Sequence, residues 1–438
     1  MASQSNASAQ LISHIRLFQD GQWDPRVLRR TELCLLDSLG CYSSGRFAKH
    51  FAPSATVGRM LGLTSEGLVS PFAFAYLYGQ AANLLDYDDT LLGHPGPPIL
   101  SAVLSVGVRD RLPIDRLLRG IAAGYEVETI LAASAAPSPE RAALVRSVGV
   151  WDTVAASIGV CVALGLKEDM MNRVIGVAVA HSLLPYTAKW YERPVPAMKN
   201  NLGWAAAGAV LSADLAVAGQ TGVTNALEGD AGMWRMAGSD RWNLERDLFQ
   251  RPPAVLRVGF KYFPACWHRQ EYLKTLSKLL ASLPPDDEVV EIVVEGPKEV
   301  EKFCNREIIA PTDVAFSLPV TASLLISKVE PGLLWTSFED GASALRFKNE
   351  FRYEFSDIRT MSLRTQSGSS LKAPVDKYDP SNPAPWGLDE AGVLAKHGRL
   401  TEATLRSGAE KALAARGVPD ALYTALNRLM AANAAPSA

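Results

Sequence analysis

Between Val27 and Gly219 the chain repeats one pattern, alanine- and leucine-rich stretches of helical length that carry little charge and are separated by short polar, glycine or proline breaks. They lie at 27–39, 71–85, 97–109, 114–134, 150–165, 170–183 and 201–218. In the first, Val27, Leu28, Leu33, Leu35, Leu36 and Leu39 recur close to helical spacing. A helix that is apolar nearly all round needs cover on every side, so a run of them predicts a large bundle whose central helices are enclosed by others. The most apolar stretch, 202–219, is interrupted by Asp214, and none is long enough to span a bilayer. At 438 residues the chain exceeds one ordinary core, so a second domain is expected.

That domain begins after Pro252-Pro253, where the pattern changes. The run 288–295 (EVVEIVVE) is β-branched and weakly alternating, which predicts a strand. Phe351 to Thr365 predicts a second strand region with a turn near Gly368, and helical signals at 267–282 and 313–327 lie between the two. The proline-rich segment 379–385 reads as an exit loop, and from Leu388 the chain is helical again. The expected fold is mainly α. A large all-helical domain is built from 1–257 and 388–438, and a smaller α+β domain from 258–387.

Charge narrows the partners. The chain has 44 basic and 46 acidic side chains, a net charge of -2, so no global field draws in nucleic acid or a membrane surface. Any anion site must be a local arrangement. The five cysteines are scattered, with no CxxC pair, which argues against a disulfide scaffold and against structural zinc. The polar start MASQSNASAQ lacks the basic-then-apolar order of a signal peptide, so a reducing, cytoplasmic location is expected.

The densest polar cluster in apolar surroundings is Asp86-Tyr87-Asp88-Asp89-Thr90-Leu91-Leu92-Gly93-His94-Pro95-Gly96. Three carboxylates, a hydroxyl and an imidazole so close together supply acid and base groups for proton transfer. The structural alternative is a solvated loop with aspartate caps. A third reading, the acidic metal motif of an all-helical terpenoid synthase, would need a diphosphate-binding partner motif that the sequence lacks. Arg146, Lys199 and Lys261 stand in similarly apolar settings. Each alone reads as a snorkelling surface cation, but ammonium groups near helix starts also make carboxylate receptors. His181 reads as a core histidine, His268 is open, and His14, His50 and His397 have no companions. No glycine-rich phosphate loop and no G-x-S-x-G elbow occurs.

Taken in order, these motifs resemble the MmgE/PrpD family, which includes 2-methylcitrate dehydratase, cis-aconitate decarboxylase and iminodisuccinate epimerase. The resemblance spans nearly the whole chain. It rests on Asp86-Tyr87-Asp88-Asp89-Thr90 with His94-Pro95, and on Lys199 ahead of Gly203-Trp204-Ala205-Ala206-Ala207-Gly208. It continues through Gly219-Gln220-Thr221-Gly222, Leu227-Glu228-Gly229, Lys261-Tyr262-Phe263-Pro264-Ala265-Cys266 and Asp379-Pro380 with Pro383. The resemblance implies that the α+β domain is a lid, that the protein is a homodimer with no metal or organic cofactor, and that the site lies between the domains. It implies Asp86, Thr90, His94, Lys199 and Lys261 as site residues.

Such enzymes move a proton on a carbon next to a carboxylate, so cations must stabilise the developing enediolate. Lys199 and Lys261 are expected to supply that charge and to bind substrate carboxylates. His94 is expected to be the acid/base group, with Asp86 either orienting it or acting as its partner, and Thr90 to donate a hydrogen bond to substrate. Two positions depart from the family pattern. Arg146 stands where members often have histidine, and Val320 follows Phe316-Ser317-Leu318-Pro319 where some have tyrosine. Arg146 is no base at neutral pH but can hold a carboxylate, steadied by Asp152, and Val320 would leave one pocket wall apolar. The reading is a cofactor-independent lyase that adds or removes water on a small hydroxy di- or tricarboxylate or alkyl-substituted analogue. Decarboxylation, epimerisation, or carboxylate binding without catalysis are the alternatives.

Overall fold

A computed structural model describes residues 6–62, 69–146, 149–183, 186–197, 200–336, 350–376 and 386–434. The fold is mainly α, with a smaller α+β part. The apolar stretches become the helices Pro25–Gly45, Pro71–Leu84, Gly96–Asp110, Ile114–Ser134, Asp152–Leu164, Glu168–Val179 and Leu202–Val217. Local chemistry fixes their starts. Asp24 and Ser70 each accept a hydrogen bond from a backbone N–H of the first turn, and a proline follows each cap. The helix expected at 170–183 ends at Val179, so His181 lies beyond it, its Nδ1 3.1 Å from the Val177 carbonyl oxygen.

One helix crossing is unusually close. A Cβ on Gly203 would stand 2.2 Å from the Tyr76 carbonyl oxygen, and one on Gly79 would stand 2.8 Å from the Gly203 Cα. Only glycine lets the backbones of Pro71–Leu84 and Leu202–Val217 meet there. That contact holds the C-terminal end of the first helix, where the acidic cluster begins, against the N-terminal end of the second. The terminal helices Glu390–Leu400, Ala403–Ala415 and Asp420–Ala434 return to this bundle, and Val393, Leu405, Leu422 and Leu426 join its core.

The α+β part carries a four-stranded sheet in the order Glu350–Phe355, Val289–Gly296, Thr360–Thr365, Ser370–Pro374. The first pair is parallel and the other two are antiparallel. The single strand region expected over 351–365 is therefore two strands, one on each side of Val289–Gly296, and the turn at Gly368 (φ +90°) leads into a further strand. Helix Gln270–Ala281 packs on this sheet and against Leu318–Ile326, around a core of Tyr272, Leu273, Ile292, Val294, Trp335 and Leu363. Val320 is buried in this same core. The exit loop 379–385 lies outside the described residues.

Two isolated β-bridges tie the parts together. Thr90 pairs with Gly259 through two backbone hydrogen bonds of 2.9 Å, and Phe260 pairs with Gly387. The Tyr87 hydroxyl adds a 2.9 Å bond to the Tyr262 carbonyl oxygen. Among the described residues no helix is long and apolar enough to cross a membrane.

Candidate active site

The acidic cluster starts where helix Pro71–Leu84 stops. Asp86 takes φ +51°, a left-handed conformation that aspartate tolerates better than most residues, and the chain turns inward. The solvated-loop alternative fails here, because Asp86, Tyr87, Asp88, Asp89, Thr90 and His94 are all buried. Burying so much polar chemistry is tolerable only if each group is paired.

The three carboxylates have three different partners. Asp86 pairs with Lys261, whose Nζ lies 2.5 Å from Asp86 Oδ1 and 2.9 Å from the Asp86 carbonyl oxygen. Lys261 is 0 % exposed, so it cannot snorkel to water. Burial opposes its charge, but Asp86 and then Asp88 outweigh burial and hold its pKa above the ordinary lysine value.

Asp88 pairs with His94, Oδ2 lying 2.7 Å from Nδ1, and its other oxygen accepts a 3.0 Å bond from Asn83. This corrects the sequence expectation that Asp86 orients the histidine. Burial works to raise the Asp88 pKa, yet His94 and Lys261 outweigh it and leave the carboxyl below its ordinary value. An ionised Asp88 selects the His94 tautomer with the proton on Nδ1, which leaves Nε2 as the basic nitrogen.

Asp89 is a structural member of the cluster. It accepts a 3.0 Å bond from the Gly96 N–H at the start of the next helix and another from the Tyr125 hydroxyl. Burial, and after it the Asp37 carboxylate, push its pKa up to about 8. Thr90 spends its hydroxyl proton on the Gly93 carbonyl oxygen at 2.8 Å, so the donor expected to face substrate closes the loop instead.

Of the remaining expected residues, Lys199 lies outside the described residues. Its chain neighbour Asn200 donates a 3.1 Å hydrogen bond to Asn83, and Asn83 donates to Asp88. Arg146 lies in the short strand Val145–Arg146, paired with Tyr186–Thr187, and its side chain is not among the described ones. Asp152 is wholly buried at the start of its helix, with no hydrogen-bond partner on either carboxyl oxygen among the described residues. Burial and the charge of Asp88 push its pKa up to about 8. Sequence reading missed the roles of Asp88 and Asn83. The Asn83/Asp88 spacing across a helix end was the available signal, since a buried carboxylate needs a donor within reach.

Asp86, Asp88 and His94 can each offer one ligand atom with all three atoms within 4.8 Å of one another, a spacing that would accommodate a cation. The Lys261 ammonium already stands within 4.0 Å of a carboxylate oxygen of each aspartate and offsets one of their two negative charges. What the cluster offers is a base held by an acid, beside an ammonium held by another acid, in surroundings closed to bulk water.

The family model described as MmgE/PrpD N-terminal domain matches residues 9–245, more than half of the chain. No curated protein matches it.

Proposed function

The chain belongs to the MmgE/PrpD family, and from that premise we propose that it is a dehydratase-type lyase acting on a small hydroxy di- or tricarboxylate or an alkyl-substituted analogue. The observation that carries the proposal is the pairing of His94 with Asp88 directly beside the Lys261–Asp86 ion pair. In this reading His94 Nε2 removes the proton from the carbon next to a substrate carboxylate. The electron pair of that C–H bond passes into the carboxylate as an enediolate. The Lys261 ammonium, fixed before substrate arrives, stabilises the charge. As the enediolate collapses to the C=C bond, the hydroxyl on the adjacent carbon leaves with the proton that His94 collected, and water is released. Asp88 stabilises the imidazolium between the two steps.

Lys199 is kept in this proposal as a second ammonium for substrate carboxylates, and Arg146 as a further anchor. The working form is proposed to be a homodimer in the cytoplasm, which sedimentation at twice the chain mass would support. Incubation of candidate hydroxy-polycarboxylates in deuterated water tests the chemistry. Deuterium entry next to a carboxylate together with loss of water supports the dehydratase. Carbon dioxide release, or exchange with inversion and no water loss, replaces it with decarboxylation or epimerisation.

A further inference from the structure

Arg269 takes no part in the network described above. It closes the short turn Trp267–Arg269 ahead of helix Gln270–Ala281, eight residues after Lys261, and is 0 % exposed. Its guanidinium has five N–H donors, and among the described residues none of Nε, Nη1 and Nη2 has a hydrogen-bond partner. What it meets are ring faces, Cζ lying 5.1 Å from the Phe303 centroid and 5.4 Å from that of Phe316. Arg193 brings a like charge to the neighbourhood, itself bound to the Asp313 carboxylate at 3.0 Å and to the carbonyl oxygens of Asp313 and Phe316. The carboxylate that acts on Arg269 is Asp86, already committed to Lys261.

A buried cation with its whole donor fork open is costly, and two ring faces return little of that cost. An anion in the same space would satisfy it, and a carboxylate matches the planar fork in two parallel hydrogen bonds. We propose that Arg269 is a carboxylate anchor of the site, holding a substrate carboxylate other than the one beside Lys261 and His94. The proposal rests on the functional reading above and adds a specificity-determining residue to it. Arg269 fixes which end of the substrate lies away from the base, and a compound with a single carboxylate cannot satisfy both positions.

Calorimetric titration with two unreactive probes tests this. Tricarballylate has three carboxylates and no hydroxyl to lose, and butyrate has a single carboxylate. The wild type should bind tricarballylate at least tenfold more tightly than butyrate. Arg269→Met should lose most of that preference with butyrate unchanged, and Arg269→Lys should retain a larger part of it. Without ligand, Arg269→Met should melt no lower than wild type, since an apolar chain replaces an unpaired charge. A lower melting temperature would assign the guanidinium to packing between the rings and count against the proposal. Undiminished tricarballylate binding by Arg269→Met, or no preference in wild type, overturns it. The functional reading fails separately. If His94→Gln turns over substrate normally while Arg269→Met still loses tricarballylate, the anchor stands and the assigned base does not.

Discussion

Lys261 holds Asp86 twice, through the carboxylate at 2.5 Å and through the backbone carbonyl oxygen at 2.9 Å. The ammonium thus fixes both the charge and the left-handed turn with which the acidic cluster begins. Position and electrostatics at this point are one interaction, and a variant that removes the cation disturbs both.

Lys261→Ala should therefore lose activity and also destabilise the fold by about 3–5 kcal/mol, because it strands a buried carboxylate. The double variant Asp86→Asn/Lys261→Met removes both charges and should recover most of that stability with no recovery of turnover. Urea denaturation beside the activity assay separates the two effects. Full turnover in Lys261→Ala would remove the cation from the mechanism.

Asp88→Asn should lower kcat by about 10²- to 10⁴-fold with a smaller effect on KM, since the amide no longer stabilises the His94 imidazolium. His94→Gln should do the same and flatten the pH profile. Asp86→Asn acts through Lys261 and should leave the acid limb of that profile in place. If Asp86→Asn shifted that limb while Asp88→Asn did not, the partner assignment would be reversed.

Buried carboxyls make stability depend on pH with opposing signs. The depressed Asp88 pKa contributes stability that is present above about pH 4 and is lost as pH falls through its folded value. The raised Lys261 pKa contributes stability that is present below about pH 10 and is lost as pH rises through its folded value. Asp89 runs opposite to Asp88 and in the same sense as Lys261, because between about pH 4 and its folded value of about 8 the native chain holds a proton that the unfolded chain has released. Its contribution falls as pH rises, by up to about 1.4 kcal/mol per pH unit. Asp89→Asn should flatten that slope between pH 5 and 8 and be the more stable protein at pH 8. Chemical denaturation across this range checks it, and an unchanged slope refutes it.

Chelation tests the cation-sized spacing of Asp86, Asp88 and His94. With the Lys261 ammonium already seated against both aspartates, turnover should survive exhaustive treatment with EDTA and should not rise on adding Mg²⁺, Mn²⁺ or Zn²⁺. Loss on chelation with recovery on metal addition would replace Lys261 as the charge that stabilises the enediolate.

The helix positions were legible because a charge-poor helix has no alternative to burial, and the strand 289–296 because its β-branched run suits a pleated surface. The pairing inside the cluster was not. Asp86 and Leu92 both take positive φ, so side-chain directions along 86–94 follow neither helical nor strand periodicity, and spacing could not show that His94 faces Asp88. The company of Val320 was not legible either, because a motif position says nothing about which way a helix face turns, and here it lies in one buried cluster with Trp335 and Leu363. Arg269, between His268 and the helix that follows, belongs to no motif read above, and nothing in the sequence shows that its side chain is buried.

The two bridges, Thr90 with Gly259 and Phe260 with Gly387, fasten both passages of the chain between its two parts at nearly one place, next to Lys261. Any swing of the smaller part about that seam would carry its far rim a long way and Lys261 hardly at all. The ammonium's place is therefore set by the seam itself and not by where that rim stands.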